Sequence, residues 1–117
     1  LAAKAAQAAA LPSFSPNACL INRYTVGTRL TLHQDEGDAS QPIVSVSLGL
    51  PAVFLWGGHE RADATQKLPL QHGDVVVWGG VDRMRYHGVM PVKDGMSPVA
   101  HPLLAGQRIN LTFRRAR

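Results

Sequence analysis

The residues best suited to chemistry are His33 and Asp35, in Leu32-His-Gln-Asp35, and His87, in Tyr86-His-Gly88. Two imidazoles and one carboxylate can bind one face of an Fe(II) ion as a 2-His-1-carboxylate triad, leaving the other face open for a substrate and O2. His33 and Asp35 are two apart, so on an extended strand both side chains point to the same side. His87 must then arrive from a distant strand. Alone, HxD…H is a weak signal, because short His/Asp spacings arise often by chance and a lone HxD is more often a solvated strand end.

A second constellation lies near the C-terminus. Gln107-Arg-Ile-Asn-Leu-Thr-Phe-Arg114 alternates strictly, with Ile109, Leu111 and Phe113 on one face and Arg108, Asn110, Thr112 and Arg114 on the other. Period two reads as a half-buried strand. The usual antiparallel rule puts the apolar face in the core and the polar face in water. The alternative is a barrel whose lumen is polar, where two arginines on one strand face could clamp a small dianion through paired, charge-assisted hydrogen bonds. Fe(II) with open cis positions and an arginine pair together imply 2-oxoglutarate.

These segments, with Cys19-Leu-Ile-Asn-Arg-Tyr24, Pro42-Ile-Val-Ser-Val-Ser-Leu-Gly-Leu-Pro-Ala52 and His72-Gly-Asp-Val-Val-Val-Trp-Gly-Gly80, resemble the AlkB family of 2-oxoglutarate-dependent nucleic-acid demethylases. The resemblance runs from about residue 11 to the end. It implies that His33, Asp35 and His87 are the iron ligands, with O2 as oxidant. It also implies that Arg108 and Arg114 hold the two carboxylates of 2-oxoglutarate, and that Asn22, Tyr24 and Asn110 add hydrogen bonds. Trp78 would wall the space for O2 and substrate, and Arg61 matches a family position near the nucleic acid. Asp38 is the candidate for the family's substrate-reading carboxylate, although Glu36-Gly-Asp-Ala-Ser40 is about two residues shorter than the family pattern and would otherwise simply turn between strands. The activity implied is oxidative demethylation of 1-methyladenine and 3-methylcytosine in DNA or RNA, releasing formaldehyde and succinate. Alternatives are an oxygenase acting on protein or lipid, a core that turns over 2-oxoglutarate without substrate, or a non-catalytic β-sandwich binding module. In the family the lid that cradles the nucleotide precedes the core, and this chain is expected to start after it.

The elements that must position these residues are short strands. Residues 17–26, 29–35, 42–49, 52–56, 67–71, 74–78, 84–90 and 107–114 read as eight, punctuated by many of the 8 prolines and 11 glycines. Site residues facing inward from eight strands point to an all-β core, a cupin-like jelly roll or double-stranded β-helix, with an immunoglobulin-like sandwich as runner-up. The alanine-rich residues 1–10 favour a short N-terminal helix, closed off by Pro12 and Pro16. The division expected is therefore a helix remnant and linker over 1–16 and the dioxygenase core over 17–117. His72, next to Gly73-Asp74, reads as a turn residue; His59 and His101 read as loop bystanders.

At 117 residues the chain supports one domain. Its net charge of +4, from 12 Lys+Arg against 8 Asp+Glu, suits a polyanionic partner, though part of the excess belongs to the co-substrate pocket. Arg115 and Arg117 read as a solvated tail. The one cysteine, Cys19, excludes an intrachain disulfide and fits a reducing bacterial cytoplasm. No run approaches a membrane span and no secretory leader is present. A monomer is expected.

Overall fold

Strict alternation along Gln107–Arg114 does produce a strand, β8, but its polar side is the one turned inward. Arg108, Asn110 and Thr112 are buried, while Ile109, Leu111 and Phe113 are only partly so. The polar-lumen reading holds, against the usual polar-out rule. The reason lies on both sides of the sheet. Outside, Phe113 and Val77 pack with Val44 against Phe14, Ala2 and Ala5, so the N-terminal segment covers the apolar face. Inside, the polar groups find one another. Asn110 Nδ2 donates to Ser45 Oγ at 2.7 Å, and Thr112 Oγ1 donates to Asn110 Oδ1 at 2.7 Å.

The structure is a computed structural model and describes residues 2, 4, 5, 14–95 and 104–116. Ala2, Lys4 and Ala5 are helical; the rest of the helix expected over 1–10 lies outside the described residues, as do His101 and Arg117. The strands are β1 (Ala18–Thr25), β2 (Leu30–His33), β3 (Ile43–Gly49), β4 (Ala52–Trp56), β5 (Gln66–Leu70), β6 (Val75–Trp78), β7 (His87–Val89) and β8 (Gln107–Arg114). They form two four-stranded antiparallel sheets, in the orders β1-β8-β3-β6 and β2-β7-β4-β5. First and last strands pair, and the sheets face each other as a jelly roll rather than an immunoglobulin-like sandwich. Pro69, which cannot donate to a ladder, sits on the edge strand β5.

Register fixes who meets whom across the lumen. Asn22 lies opposite Asn110, which lies opposite Ser47; Tyr24 lies opposite Arg108, which lies opposite Gly49. Because side chains alternate, this puts Asn22, Tyr24, Arg108, Asn110 and Ser45 on one inner wall. Ile43, Phe54, Leu70 and Trp78 pack as one apolar cluster, and Phe54 and Trp78 also meet the His87 ring.

Two expected strands are shorter than their patterns suggested. β2 ends at His33, so Asp35 lies past the strand end rather than on it. Pairing with β7 slips between Leu30 and His33 and resumes at the His33–His87 pair, beyond which no pairing continues. Residues 84–86 are not strand either, because a 3-10 turn over Gly80–Asp82 continues into a turn before β7 begins.

Gly49 and Gly27 offer a matched test of the frame. Both have left-handed backbones, with φ of +86° and +87°. A Cβ at Gly49 would lie 2.3 Å from the Gln107 carbonyl oxygen, whereas one at Gly27 meets nothing within 4 Å. Gly27→Ala should cost about 1–2 kcal/mol, the backbone penalty alone. Gly49→Ala should cost roughly 2 kcal/mol more, since the β3–β8 pairing must shift. Urea unfolding of the two variants checks this; equal losses would refute the close approach.

Candidate metal centre

The slip at the end of β2 and the short β7 bring three potential ligands together. His33 closes β2, His87 opens β7, and the two are direct partners across the sheet. Their rings lie 4.4 Å apart between centroids. Each imidazole is oriented in the same way. His33 Nδ1 donates to the Thr31 carbonyl at 2.9 Å and His87 Nδ1 to the Arg85 carbonyl at 3.1 Å. A carbonyl only accepts, so Nδ1 carries a proton on each ring and Nε2 is left as the atom that can face Asp35 or bind a metal.

Both Nε2 atoms face Asp35, His33 at 3.7 Å from Oδ1 and His87 at 3.2 Å from Oδ2. One ligand atom from each of the three residues can be chosen so that all lie within 4.8 Å of one another. Asp35 is buried. Burial works to raise its carboxyl, but hydrogen bonds and charge from His33 and His87 outweigh that and hold it well below the usual carboxylate range. The same hydrogen bond to Asp35 raises His33, against the opposing effect of burial. Two nitrogen lone pairs and a carboxylate on one side of a cavity form the donor set of a facial Fe(II) site.

The cavity beside this set has a volume of about 460 Å³. Its walls include Asn22, Tyr24, Arg108, Asn110 and Arg114 from β1 and β8, with Trp78 and Phe54. Trp78 is buried, its ring centroid 4.8 Å from that of His87. Phe54, which no motif flagged, stacks on His87 at 5.8 Å.

Two arginines in this cavity differ. Arg114 reaches to 4.0 Å from Asp35 Oδ1, on the metal side. Arg108 is 1 % exposed and lies over the Tyr24 ring. Among the described residues no acceptor meets Arg108 Nε or Nη1, or Arg114 Nε. Burial pushes the Arg108 guanidinium below its ordinary pKa, with Tyr24 acting in the opposite sense. A buried cation with unanswered donors fits an anionic guest, and a dicarboxylate of the size of 2-oxoglutarate suits two such arginines.

Other expected residues lie elsewhere. Asp38 accepts from Ser40 N and Ser40 Oγ at 2.9 and 2.6 Å, within a local turn; those bonds lower its pKa. It does not line the cavity, whereas Glu36 does. Arg61 donates at 2.8 Å to the carbonyl of Leu32, the residue before His33, and sits over the Tyr86 ring at 4.9 Å, outside the cavity. His72 accepts from Gly49 N at 2.9 Å, a turn role as its sequence context suggested. His59 contacts the Val81 carbonyl in a loop.

A jelly roll with a His–Asp–His face and two arginines lining its lumen, one of them buried, defines a class, that of Fe(II) enzymes using a dicarboxylate co-substrate. Residues 1–114 match the model of the 2OG-Fe(II) oxygenase superfamily. The chain is 57 % identical to the alpha-ketoglutarate-dependent dioxygenase AlkB of Escherichia coli strain K12, covering 99 % of this chain and 53 % of that protein. It is 38 % identical to the DNA N(6)-methyladenine demethylase ALKBH1D of Arabidopsis thaliana, over 89 % of this chain and 26 % of that one. The solved structure of OsALKBH1 superposes with a TM-score of 0.86 at 34 % identity, covering 97 % of this chain and 62 % of that one. The chain therefore belongs to the AlkB family of the 2OG-Fe(II) oxygenase superfamily, whose chemistry uses Fe(II), 2-oxoglutarate and O2. It spans about half the length of the curated AlkB relatives it matches.

Metal should stabilise this chain through the three ligands. At a hundredfold excess over its dissociation constant, an O2-inert ion such as Ni(II) adds about 2.7 kcal/mol, read as a raised melting temperature. Asp35→Ala should lose that rise. His72→Ala should keep it, though starting from a lower melting temperature; a His72 variant that loses the rise would contradict the assignment.

Proposed function

We propose that the protein oxidatively demethylates N-alkylated bases, such as 1-methyladenine and 3-methylcytosine, in DNA or RNA. The observation that carries this reading is the buried Arg108 guanidinium, its donors unanswered, in the same cavity as His33, Asp35 and His87. In support, a relative named as a DNA N(6)-methyladenine demethylase is 38 % identical over 89 % of the chain.

His33, Asp35 and His87 hold the iron, each through the atom that faces the others. Arg114, beside Asp35, takes the carboxylate of 2-oxoglutarate nearest the metal, and Arg108 the far one. Asn22, Tyr24 and Asn110 surround that co-substrate with hydrogen-bonding groups. When bound, Fe(II) with O2 and 2-oxoglutarate supplies the oxidant that hydroxylates an N-methyl group, with 2-oxoglutarate leaving as succinate and CO2. The N-hydroxymethyl product then breaks its C–N bond to release formaldehyde and the unmodified base.

Positioning is the protein's share. Trp78 and Phe54, against the His87 ring, keep water from the reacting methyl. Lesions such as 1-methyladenine carry positive charge, and Glu36, among the residues of the cavity wall, is the acidic residue that favours them; Asp38, bonded to Ser40 in its own loop, contributes less. Arg61, held by Leu32 and Tyr86, sits where a phosphate can approach. The base must leave its stack to enter, which single strands permit at least cost. Residues 17–117 form the oxygenase core and residues 1–16 lead into it. The protein works as a monomer in the bacterial cytoplasm, where Fe(II) persists and Cys19 stays reduced.

The test is mass spectrometry of a single-stranded 1-methyladenine oligonucleotide incubated with the chain, Fe(II), 2-oxoglutarate and ascorbate. Loss of one methylene mass with formaldehyde, abolished in His33→Ala, is the expected result. Succinate formed from an unchanged oligonucleotide would refute nucleic-acid demethylation by this chain and leave an oxygenase of another substrate. Arg114→Ala should raise the 2-oxoglutarate requirement roughly 10- to 100-fold, the value of a charge-assisted contact; an unchanged requirement would overturn the clamp.

A further inference from the structure

Arg83 is as buried as Arg108, at 1 % exposure, yet it touches neither the cavity nor, among the described residues, a carboxylate within ion-pair distance. Its guanidinium is spent on backbone carbonyls. Nη1 donates to Asp35 O at 2.9 Å, Nη2 to Glu36 O at 3.0 Å and Nε to Gln41 O at 2.9 Å. These acceptors mark both ends of the loop that carries Asp35 away from β2. A return bond ties the same two segments, since Gln34 Nε2 donates to the Met84 carbonyl at 2.8 Å.

Burying a cation against carbonyl dipoles alone is costly, and an apolar side chain of similar volume would fill the space without that cost. What arginine adds is a rigid fork that holds three points of one loop at once, which no lysine can copy. The points matter because Asp35 lies beyond the end of β2, where no strand pairing fixes it. On the other side of the fork the chain runs four residues to His87. The fork thus lies between the two segments that carry a carboxylate and an imidazole 3.2 Å apart.

We infer that Arg83 is a positioning residue for the metal site: its three-point hold on the 35–41 loop fixes where the Asp35 carboxylate stands between His33 and His87. The inference rests on the reading of those three residues as metal ligands, and it concerns a side chain that contacts none of the reacting groups.

Cobalt(II) titration of the full chain tests it, with the d–d absorption reporting both affinity and ligand geometry and urea unfolding reporting the metal-free fold. The variants are Arg83→Lys and Arg83→Met, beside Gly27→Ala as a control that lowers stability away from the loop. Arg83→Lys should remain folded without metal, bind cobalt roughly 10- to 100-fold more weakly and show a changed d–d spectrum. Arg83→Met should do the same or worse, while Gly27→Ala keeps wild-type affinity and spectrum. Wild-type affinity and spectrum in both Arg83 variants would overturn the inference. So would failure of both to fold without metal, because the residue would then serve the fold rather than the ligand. A wild-type chain that takes up no cobalt would bring down the metal-site reading itself, a result distinguishable from either.

Discussion

A carboxylate kept ionised between two imidazoles is the interaction on which the rest of the structure depends. Asp35 is buried, so desolvation favours its protonated form, and the His33 and His87 rings facing it reverse that preference. The arrangement is therefore sensitive to the placement of both rings and of the loop. Each has its own anchor. The rings are turned by carbonyls two residues upstream, within their own strands or turns, and the loop is held by Arg83 and Gln34. None of these anchors is itself a ligand, yet each fixes one degree of freedom of the ligand set.

The polar lumen follows from the same demand. A metal site and a dianion pocket need charge-bearing walls, so the inner face of sheet β1-β8-β3-β6 carries Asn, Tyr, Arg and Thr where most sheets bury leucine and valine. Such a face can be buried only if its groups satisfy one another, as Asn110, Ser45 and Thr112 do, or await a guest, as Arg108 does. Stability must then come from elsewhere. The Ile43, Phe54, Leu70 and Trp78 cluster supplies it beside His87, and Phe14 with Val44 and Phe113 supplies it outside the sheet.

Much of this was legible in the sequence, and the failures share one cause. Eight strands emerged from apolar runs bounded by glycine and proline, because turn chemistry and period two are local properties. The His33, Asp35 and His87 set stood out because ligand types are written in the residues themselves. Alternation in β8 gave the period of the strand but not its sense, since which face is core depends on Phe14 and its neighbours far away in the chain. The same limit moved Asp35 off the strand: where pairing with β7 ends, at His33, is a property of the partner strand and leaves no mark in Leu-Thr-Leu-His. Asp38 was read either as a substrate-reading carboxylate or as part of a turn between strands, and which holds depends on Ser40 two residues on, whose N and Oγ donate to its carboxylate.

Three arginines show most plainly why residue type underdetermines role. Arg83, Arg108 and Arg114 all reach the neighbourhood of Asp35 or its cavity, and each carries the same planar fork of donors. Arg83 has its charge answered by carbonyls of a single loop, so its surroundings are complete and its consequence is rigidity. Arg108 has two nitrogens with no acceptor among the described residues, so its surroundings are incomplete and its consequence is affinity for an anion. Arg114, less buried and at 4.0 Å from Asp35, stands between these cases, near enough to the carboxylate to feel it and open enough to meet a guest. The difference lies wholly in which acceptors the fold delivers to each guanidinium. A buried cation that the protein itself satisfies builds the site, and one that it leaves unsatisfied defines what the site must bind.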